Sequence, residues 1–154
     1  NGLPTGLGDP VFEKLDANLG KAILSIGAVK AVEIGDGINV TRLTGSEDND
    51  GFVQKDGIIS KTSNHAGGIM GGMSDGSDII LPAHIKPTPS ISQSQSTVTN
   101  TGENLELEIK GRHDPVIVPR AVVVVEAMAA LTITDALFNN MSARMDRIHE
   151  FYQR

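Results

Sequence analysis

The first apolar pattern along the chain is a stripe of residues three and four positions apart. Its members are Phe12, Leu15, Leu19, Ala22, Ile23 and Ile26. This spacing places the side chains on one face of an α-helix. Asp9-Pro10 comes just before the stripe, and an acidic cap followed by proline is typical of a helix start. The pattern therefore predicts an amphipathic helix that begins at Asp9-Pro10.

The apolar pattern then changes to short segments rich in β-branched residues. Residues 28–34 are of this kind and end at Gly35-Asp36-Gly37, so they predict a strand. Residues 38–45 fit either a strand or a helix. Residues 52–62 predict a hairpin that turns at Lys55-Asp56-Gly57.

Two further strands are predicted in the second half of the chain. Residues 79–85 form an apolar run that Pro82 interrupts, and residues 105–109 alternate leucine or isoleucine with glutamate. Between them, residues 90–100 are rich in Ser, Thr and Gln and predict a loop or an edge strand. Short strands mixed with helices indicate the α/β class, of the α+β type, and residues 1–154 are expected to form one structural unit.

Residues 121–138 are almost continuously apolar, with Glu126 and Asp135 as the only charged positions. A membrane span needs about 20 apolar residues, and two carboxylates within it would be costly. We therefore favour a buried core helix over a membrane span. Residues 141–154 predict an amphipathic helix at the end of the chain.

Composition narrows the possible functions. The 154 residues contain no cysteine, which excludes disulfides and thiolate metal sites. The net charge of -6 argues against a nucleic-acid partner. The acidic run at residues 47–50 lacks the ligand spacing of a calcium loop, so a solvated loop is preferred. The first residues carry neither an initiator Met nor a signal peptide, and they resemble the middle of a longer protein.

Seventeen glycines accompany only five aromatic residues, four Phe and one Tyr, so some glycines are expected where the backbone approaches a ligand closely. Four of them, at positions 67, 68, 71 and 72, lie in a glycine-rich loop, residues 64–72. Their backbone amides could bind a planar ligand or a phosphate; the alternative is a flexible turn. His65 in this loop, taken alone, is typical of a hydrogen-bonded structural histidine.

Two more polar loops combine charge with conformational restraint. In Lys86-Pro87-Thr88-Pro89-Ser90 the prolines hold the backbone extended, and one ammonium and two hydroxyls suit a phosphate. Without context, a proline-stiffened edge is the preferred interpretation. In Gly111-Arg112-His113-Asp114-Pro115 the arginine could bind an anion and Asp114 could exchange a proton with a ligand. The alternative is a surface ion pair between Arg112 and Asp114.

In this order, the loops and the strings around them resemble the C-terminal part of the chorismate synthase family. The similarity is carried by Gly-Leu-Gly-Asp-Pro-Val-Phe at 6–12, Leu-Asp-Ala at 15–17, Ala-Val-Lys at 28–30, Val-Glu-Ile-Gly-Asp-Gly at 32–37, Gly-Ser-Glu at 45–47, the glycine-rich loop, Lys-Pro-Thr at 86–88, residues 110–115, Arg-Ala at 120–121 and Val-Glu-Ala-Met at 125–128. Each motif alone is weak. Agreement in so many unusual strings is highly specific.

The resemblance implies an enzyme of aromatic amino acid biosynthesis in the shikimate pathway. Such lyases convert 5-enolpyruvylshikimate 3-phosphate to chorismate by anti 1,4-elimination of phosphate, and they require reduced FMN without net redox change. The resemblance also implies a β-α-β sandwich, a homotetramer and a cytoplasmic location. It implies no metal, membrane or nucleic-acid partner. Whether NADPH or an external reductant reduces the flavin stays open.

Site residues follow from the same resemblance. The family's flavin contacts correspond here to Gly27, Ala28, Gly71, Lys86, Pro87, Thr88, Pro89, Ser90 and Arg112. Asp114 corresponds to a carboxylate near flavin N5. A cationic Lys86 and Arg112 suit a reduced flavin that carries a phosphate.

The chain also departs from the family pattern. The proline run usually reads Lys-Pro-Thr-Ser-Ser, so Pro89 removes a hydroxyl and an N–H donor, and Gly27 stands where relatives often carry a side-chain amide. The family's N-terminal portion, with its catalytic histidines and most substrate-binding arginines, has no counterpart here. We therefore expect a C-terminal fragment with roughly half an active site. A catalytically incompetent flavin-binding or oligomerising fragment is the alternative, and an interaction domain that uses residues 121–138 is a third possibility.

Overall fold

The computed structural model describes residues 2–153. These residues form helices and antiparallel strand pairs, as expected for the α+β class. The elements in chain order are α1 (Leu15–Leu24), β1 (Val29–Val32), a 3₁₀ helix (Gly37–Arg42), α2 (Gly45–Asp48), β2 (Phe52–Lys55), β3 (Ile58–Lys61), β4 (Ile69–Met70), β5 (Met73–Ser74), β6 (Ala83–Ile85), β7 (Gln95–Val98), β8 (Asn104–Leu107), α3 (Val118–Ser142) and α4 (Met145–Tyr152).

Helix α1 confirms the predicted stripe but begins later than predicted. Leu15, Leu19 and Ile23 are buried on its inner face. The predicted start at Asp9-Pro10 is wrong because Val11 has a φ of 71°, a left-handed conformation that cannot continue a helix. The first helical N–H, that of Leu15, donates instead to the carbonyl of Gly72 at 2.8 Å. Phe12 is consequently 87% exposed.

The predicted strands form two-stranded antiparallel pairs. β1 pairs with β6, with Val29 opposite Ile85 and Val32 opposite Ala83. β2 and β3 form the predicted hairpin, and the left-handed conformations of Asp56 and Gly57 make its turn. The polar segment at 90–100 contributes β7, which pairs with β8. Residues 38–45 fitted either a strand or a helix, and most of them lie in the 3₁₀ helix Gly37–Arg42.

The core lies between α1 and the glycine-rich loop, with part of α3 against it. Leu15, Leu19 and Ile69 form a buried cluster, and α3 packs Ala129, Ile133 and Ala136 against that cluster. No residue of α3 is itself buried. The predicted buried core helix is therefore wrong for residues 2–153, because α3 has only one narrow face in contact and its apolar surface exceeds that contact.

By length and composition, α3 is the one helix among residues 2–153 that could cross a membrane. The core helix of a soluble protein passes the same test, so one such helix is weak evidence for a membrane span. One face of α3 packs on the α1 core. The predicted helix at the end of the chain is present as α4.

Candidate functional site

The strand pair β1–β6 brings two of the predicted cofactor segments together. The N–H of Lys86 donates to the carbonyl of Ala28 at 2.9 Å, one step beyond the Val29–Ile85 pair. Gly27-Ala28 therefore lies beside the start of the proline run, residues 86–90. Ala28 has a φ of 73°, a conformation that is uncommon for a residue with a side chain and that costs energy to hold. Residues 27–28 and 86–90, far apart in sequence, are thus neighbours, and we call them together the Ala28–Lys86 surface.

The proline run contains two polar groups that are unpaired within residues 2–153. The Thr88 hydroxyl is buried and has no hydrogen-bond partner within residues 2–153. Buried hydroxyls are normally satisfied, so an unpaired one indicates a missing acceptor or donor. Lys86 beside it is exposed, and within the same residues its ammonium forms no ion pair. An unpaired hydroxyl and an unpaired ammonium two residues apart in sequence are both groups that can bind a phosphate.

Gly71 occupies the tip of the β4–β5 hairpin. Gly71 and Gly72 form its two-residue turn with φ values of 61° and 88°, which only glycine adopts readily. A Cβ placed at Gly71 would meet nothing within 4 Å, and the same is true of Gly27. Space for an external group is therefore present at both predicted cofactor glycines.

The other glycines of the loop have a different role. A Cβ at Gly67 would lie 2.2 Å from the nitrogen of Gly35, and one at Gly68 would lie 2.6 Å from the carbonyl oxygen of Asp78. Their N–H groups donate to the backbone oxygen (3.1 Å) and side-chain oxygen (2.9 Å) of Asn64, respectively. The prediction that the backbone amides of this loop could bind a ligand is wrong for these two glycines, because both amides are hydrogen-bonded inside the chain.

Asp50 is a functional candidate that the sequence did not reveal. It is 9% exposed, so the prediction of a solvated loop is wrong at this residue. Its carboxylate accepts hydrogen bonds from Ser63 Oγ at 2.7 Å and from the N–H groups of His65 at 2.8 Å and Ala66 at 3.1 Å. Burial raises the pKa of Asp50, but these bonds and the nearby Lys61 outweigh burial and lower the pKa to about 2. No local pattern distinguishes Asp50 from its acidic neighbours.

His65 has the structural role expected of a lone histidine. Its Nδ1 lies 2.6 Å from Asp36 Oδ2, in the turn after β1. The hydrogen bond to Asp36 raises the pKa of His65, while partial burial opposes the shift. The pair joins the glycine-rich loop to the segment that follows β1.

Asp114 and Arg112 do not pair with each other. Asp114 Oδ2 accepts a hydrogen bond from Arg120 Nη1 at 2.8 Å, across the start of α3. Arg112 is exposed and forms no hydrogen bond or ion pair through its side chain within residues 2–153. The alternative of an Arg112–Asp114 surface pair is therefore wrong. No hydrogen bond of the described residues links either side chain to the Ala28–Lys86 surface.

Two cavities of the described chain lie away from the predicted cofactor residues. One of about 360 Å³ opens between α1 and α3 beside Glu13, Lys21 and Asp135. Another, of about 680 Å³, lies between α3 and α4 beside Phe138 and Phe151. None of the predicted cofactor residues lines these two cavities. Within residues 2–153, no group of three or more His, Asp and Glu side chains is arranged to hold a metal ion.

Comparison with known proteins identifies the family. The family model for chorismate synthase matches residues 1–138. The chain belongs to the chorismate synthase family. The chorismate synthase of Agathobacter rectalis is 65% identical over 153 residues, which are 99% of this chain and 42% of the relative. That of Archaeoglobus fulgidus is 58% identical over 136 residues, 88% of this chain and 38% of the relative.

The fold comparison agrees with the sequence comparison. A crystal structure of chorismate synthase superimposes with a TM-score of 0.72 at 29% identity, covering 99% of this chain and 39% of that chain. The predicted family and its α+β fold are therefore confirmed. This chain spans about two fifths of the length of the chorismate synthases it matches.

Proposed function

We propose that this chain is the part of a chorismate synthase that holds reduced FMN. In the assembled enzyme, phosphate and a ring proton would be eliminated from 5-enolpyruvylshikimate 3-phosphate to give chorismate. The supporting observation is the hydrogen bond between Lys86 N–H and Ala28 carbonyl, which joins the two main predicted flavin segments in a member of this family. The rest of the active site would come from the remaining three fifths of the family's length.

The residues of the Ala28–Lys86 surface fit an anionic cofactor. The exposed Lys86 ammonium would attract a phosphate or a reduced ring. The Thr88 hydroxyl is buried, so it would donate a hydrogen bond to that phosphate once a local shift of the proline run exposes it. Pro87 and Pro89 restrict the backbone, so little conformational entropy is lost on binding. Ser90 supplies a second hydroxyl, while Pro89 supplies no donor. When bound, reduced flavin would supply the electron that helps the phosphate to leave.

The hydrogen bonding of Asp114 supports a role in holding a proton. Its Oδ2 is occupied by Arg120, but within residues 2–153 its Oδ1 accepts no hydrogen bond. Because a guanidinium only donates, Arg120 can orient the carboxylate and leave Oδ1 as an acceptor. Arg112, which is exposed and unpaired within the described residues, would offset negative charge at the flavin. Binding of the remaining polypeptide would have to bring both residues to the Ala28–Lys86 surface.

The decisive variant is Asp114→Asn in the full-length polypeptide that carries this segment. Asparagine keeps the size of the side chain but cannot accept a proton, so turnover should fall by a factor on the order of 10² or more. Affinity for FMN, measured by quenching of flavin fluorescence, should change little. Asp56→Asn is the matched control, since Asp56 is exposed in a turn where asparagine is equally acceptable. Near wild-type turnover for Asp114→Asn would reject its chemical role.

A second candidate function is a non-catalytic flavin-binding or oligomerising unit. The exposed apolar surface of α3 favours it for residues 1–154 taken alone. The isolated chain should then form no chorismate above a flavin-only blank, because the family's catalytic histidines are absent from it. FMN titration of the isolated chain distinguishes a flavin-binding unit from an oligomerising one. Saturable quenching of FMN fluorescence supports flavin binding. Without quenching, association through α3 is the remaining function. A homotetramer and a cytoplasmic location are proposed for the whole enzyme.

A further inference from the structure

Three charged side chains are buried together at the base of the glycine-rich loop. Asp50, Lys61 and Asp75 have side chains that are 4%, 5% and 6% exposed, and we call them the buried triad. Lys61 Nζ lies 3.5 Å from Asp50 Oδ2 and is also hydrogen-bonded to Asp75 Oδ2. Burial of three charges is costly unless every one is paired. The three side chains are therefore stable only when Lys61 stays paired with both carboxylates.

The buried triad holds both ends of the loop. Asp50 binds the entry, through Ser63 Oγ and the N–H groups of His65 and Ala66. Asp75 binds the exit: its N–H donates to Gly68 carbonyl at 3.0 Å, and its Oδ1 accepts the N–H of Ser77 at 2.8 Å. Lys61 connects the two carboxylates across the base. Entry and exit are thereby held at a fixed separation.

The opposite side of the loop is anchored to the start of α1 and to the segment that precedes this helix. Gly72 carbonyl accepts the N–H of Leu15 at 2.8 Å, and Ser74 N–H donates to Leu7 carbonyl at 2.9 Å. Gly71 directly precedes these anchors, at the exposed hairpin tip. Glycine restrains the backbone little by itself, so the position of Gly71 depends on what holds the two sides.

We propose that Asp50, Lys61 and Asp75 are positioning residues that hold the glycine-rich loop in the shape that receives the flavin at Gly71. The identity of the ligand rests on the proposed function; the hold on the loop does not. Removal of the Lys61 charge leaves two buried carboxylates without their common partner. Repulsion and desolvation then favour conformations in which the ends of the loop separate and reach water.

The test uses Lys61→Met in the full-length protein, with Lys21→Met as the matched control on an exposed lysine of α1. Amide hydrogen exchange of residues 64–75 reports the hold on the loop, and quenching of FMN fluorescence reports ligand affinity. We expect exchange in this segment to accelerate, and FMN affinity to fall, each by on the order of 10-fold or more, the scale expected when a buried pair loses one partner. Lys21→Met should change neither.

A double variant separates positioning from general destabilisation. Lys61→Met/Asp75→Asn leaves one buried carboxylate instead of two, so exchange and FMN affinity should recover part of the loss. If Lys61→Met does not fold, Asp75→Asn alone, which keeps the shape of the side chain, is measured in its place. Unchanged exchange in residues 64–75 would overturn the proposal, as would exchange that accelerates equally throughout the chain.

FMN affinity decides whether the buried triad also positions the flavin site. If exchange accelerates locally while FMN affinity stays at the wild-type value, the triad does not position the flavin site and the proposal is wrong. If the wild-type full-length protein neither binds FMN nor forms chorismate, the proposed function is wrong and a flavin-positioning role with it. Local exchange then still decides whether the triad holds the loop.

Discussion

The glycine-rich loop and helix α3 differ in where their side chains and polar groups find partners. Around the loop, carboxylates, backbone amides and an ammonium are buried and paired within the chain. Along α3, apolar side chains such as Val123 and Leu131 are about two thirds exposed, at 66% and 65%. The loop is thus stabilised by contacts that residues 2–153 supply themselves. Helix α3 is apolar enough to be buried, but residues 2–153 do not cover it.

This difference indicates which part of the chain depends on additional protein. Contiguous exposed apolar surface is rare on a complete soluble protein and marks an interaction face. The matched chorismate synthases are more than twice as long as this chain, so additional sequence of the same family could cover α3. The loop needs no such cover, and its geometry should persist in the isolated chain.

The largest contrast is expected between buried and exposed leucines. Leu19→Ala removes a side chain that is 0% exposed and should lower the free energy of unfolding of the isolated chain by about 2 to 5 kcal/mol. Leu131→Ala removes a side chain that is 65% exposed and should change that free energy by no more than about 0.5 kcal/mol. Urea unfolding followed by circular dichroism measures both.

The same pair of variants sharpens the comparison in the full-length protein. If additional sequence covers α3, Leu131→Ala should become destabilising there while Leu19→Ala keeps its effect. An equal, near-zero effect of Leu131→Ala in both forms would show that this part of α3 stays exposed. A large effect in the isolated chain would contradict the exposed position itself.

The next effect concerns Asp50. Its pKa is about 2 in the folded chain and 3.8 as the reference value, a difference equivalent to roughly 2 kcal/mol of stability at neutral pH. Because the folded pKa is the lower one, this contribution is complete above about pH 5 and is lost as the pH falls toward 2. Asp50→Asn should therefore destabilise the protein at pH 7 and flatten the acid limb of its pH–stability curve. An unchanged acid limb would exclude Asp50 as its source.

A smaller effect with the opposite pH direction is expected at His65. Its pKa is raised by Asp36, so the stabilisation from this pair is fully present below the unfolded pKa and is lost as the pH rises through the folded value. His65→Gln, which can keep one hydrogen bond but no charge, should remove this dependence. Thermal unfolding between about pH 5 and 9 measures it, and an identical slope in wild type and variant would contradict it.

The smallest effect is expected at the Asp114–Arg120 pair. Arg120 is 71% exposed in its side chain, and exposed pairs contribute between about 0 and 1 kcal/mol. Arg120→Gln should therefore leave the unfolding midpoint of the isolated chain nearly unchanged. A loss comparable to that of Leu19→Ala would mean that the start of α3 is held far more tightly than its exposure indicates.

The sequence predicted an element well where neighbouring residues alone determine its conformation. Left-handed residues set the turn at Asp56-Gly57, and the three- and four-residue spacing defined the buried face of α1. The start of α1 was missed because Val11 takes a left-handed conformation that its residue type does not favour. The packed fold, rather than the sequence of this segment, selects that conformation.

The family and its unusual strings were also determined by sequence alone, since long runs of matching residues need no coordinates to be recognised. The predicted cofactor residues remain predictions, although Ala28 and Lys86 are now known to be neighbours. Only tertiary structure decided that Asp114 pairs with Arg120 and that α3 is exposed. Likewise, only the fold revealed Asp50, Lys61 and Asp75 as one buried unit. Charge pairing and burial depend on which distant segments meet, and that information is absent from the spacing of residues within any one segment.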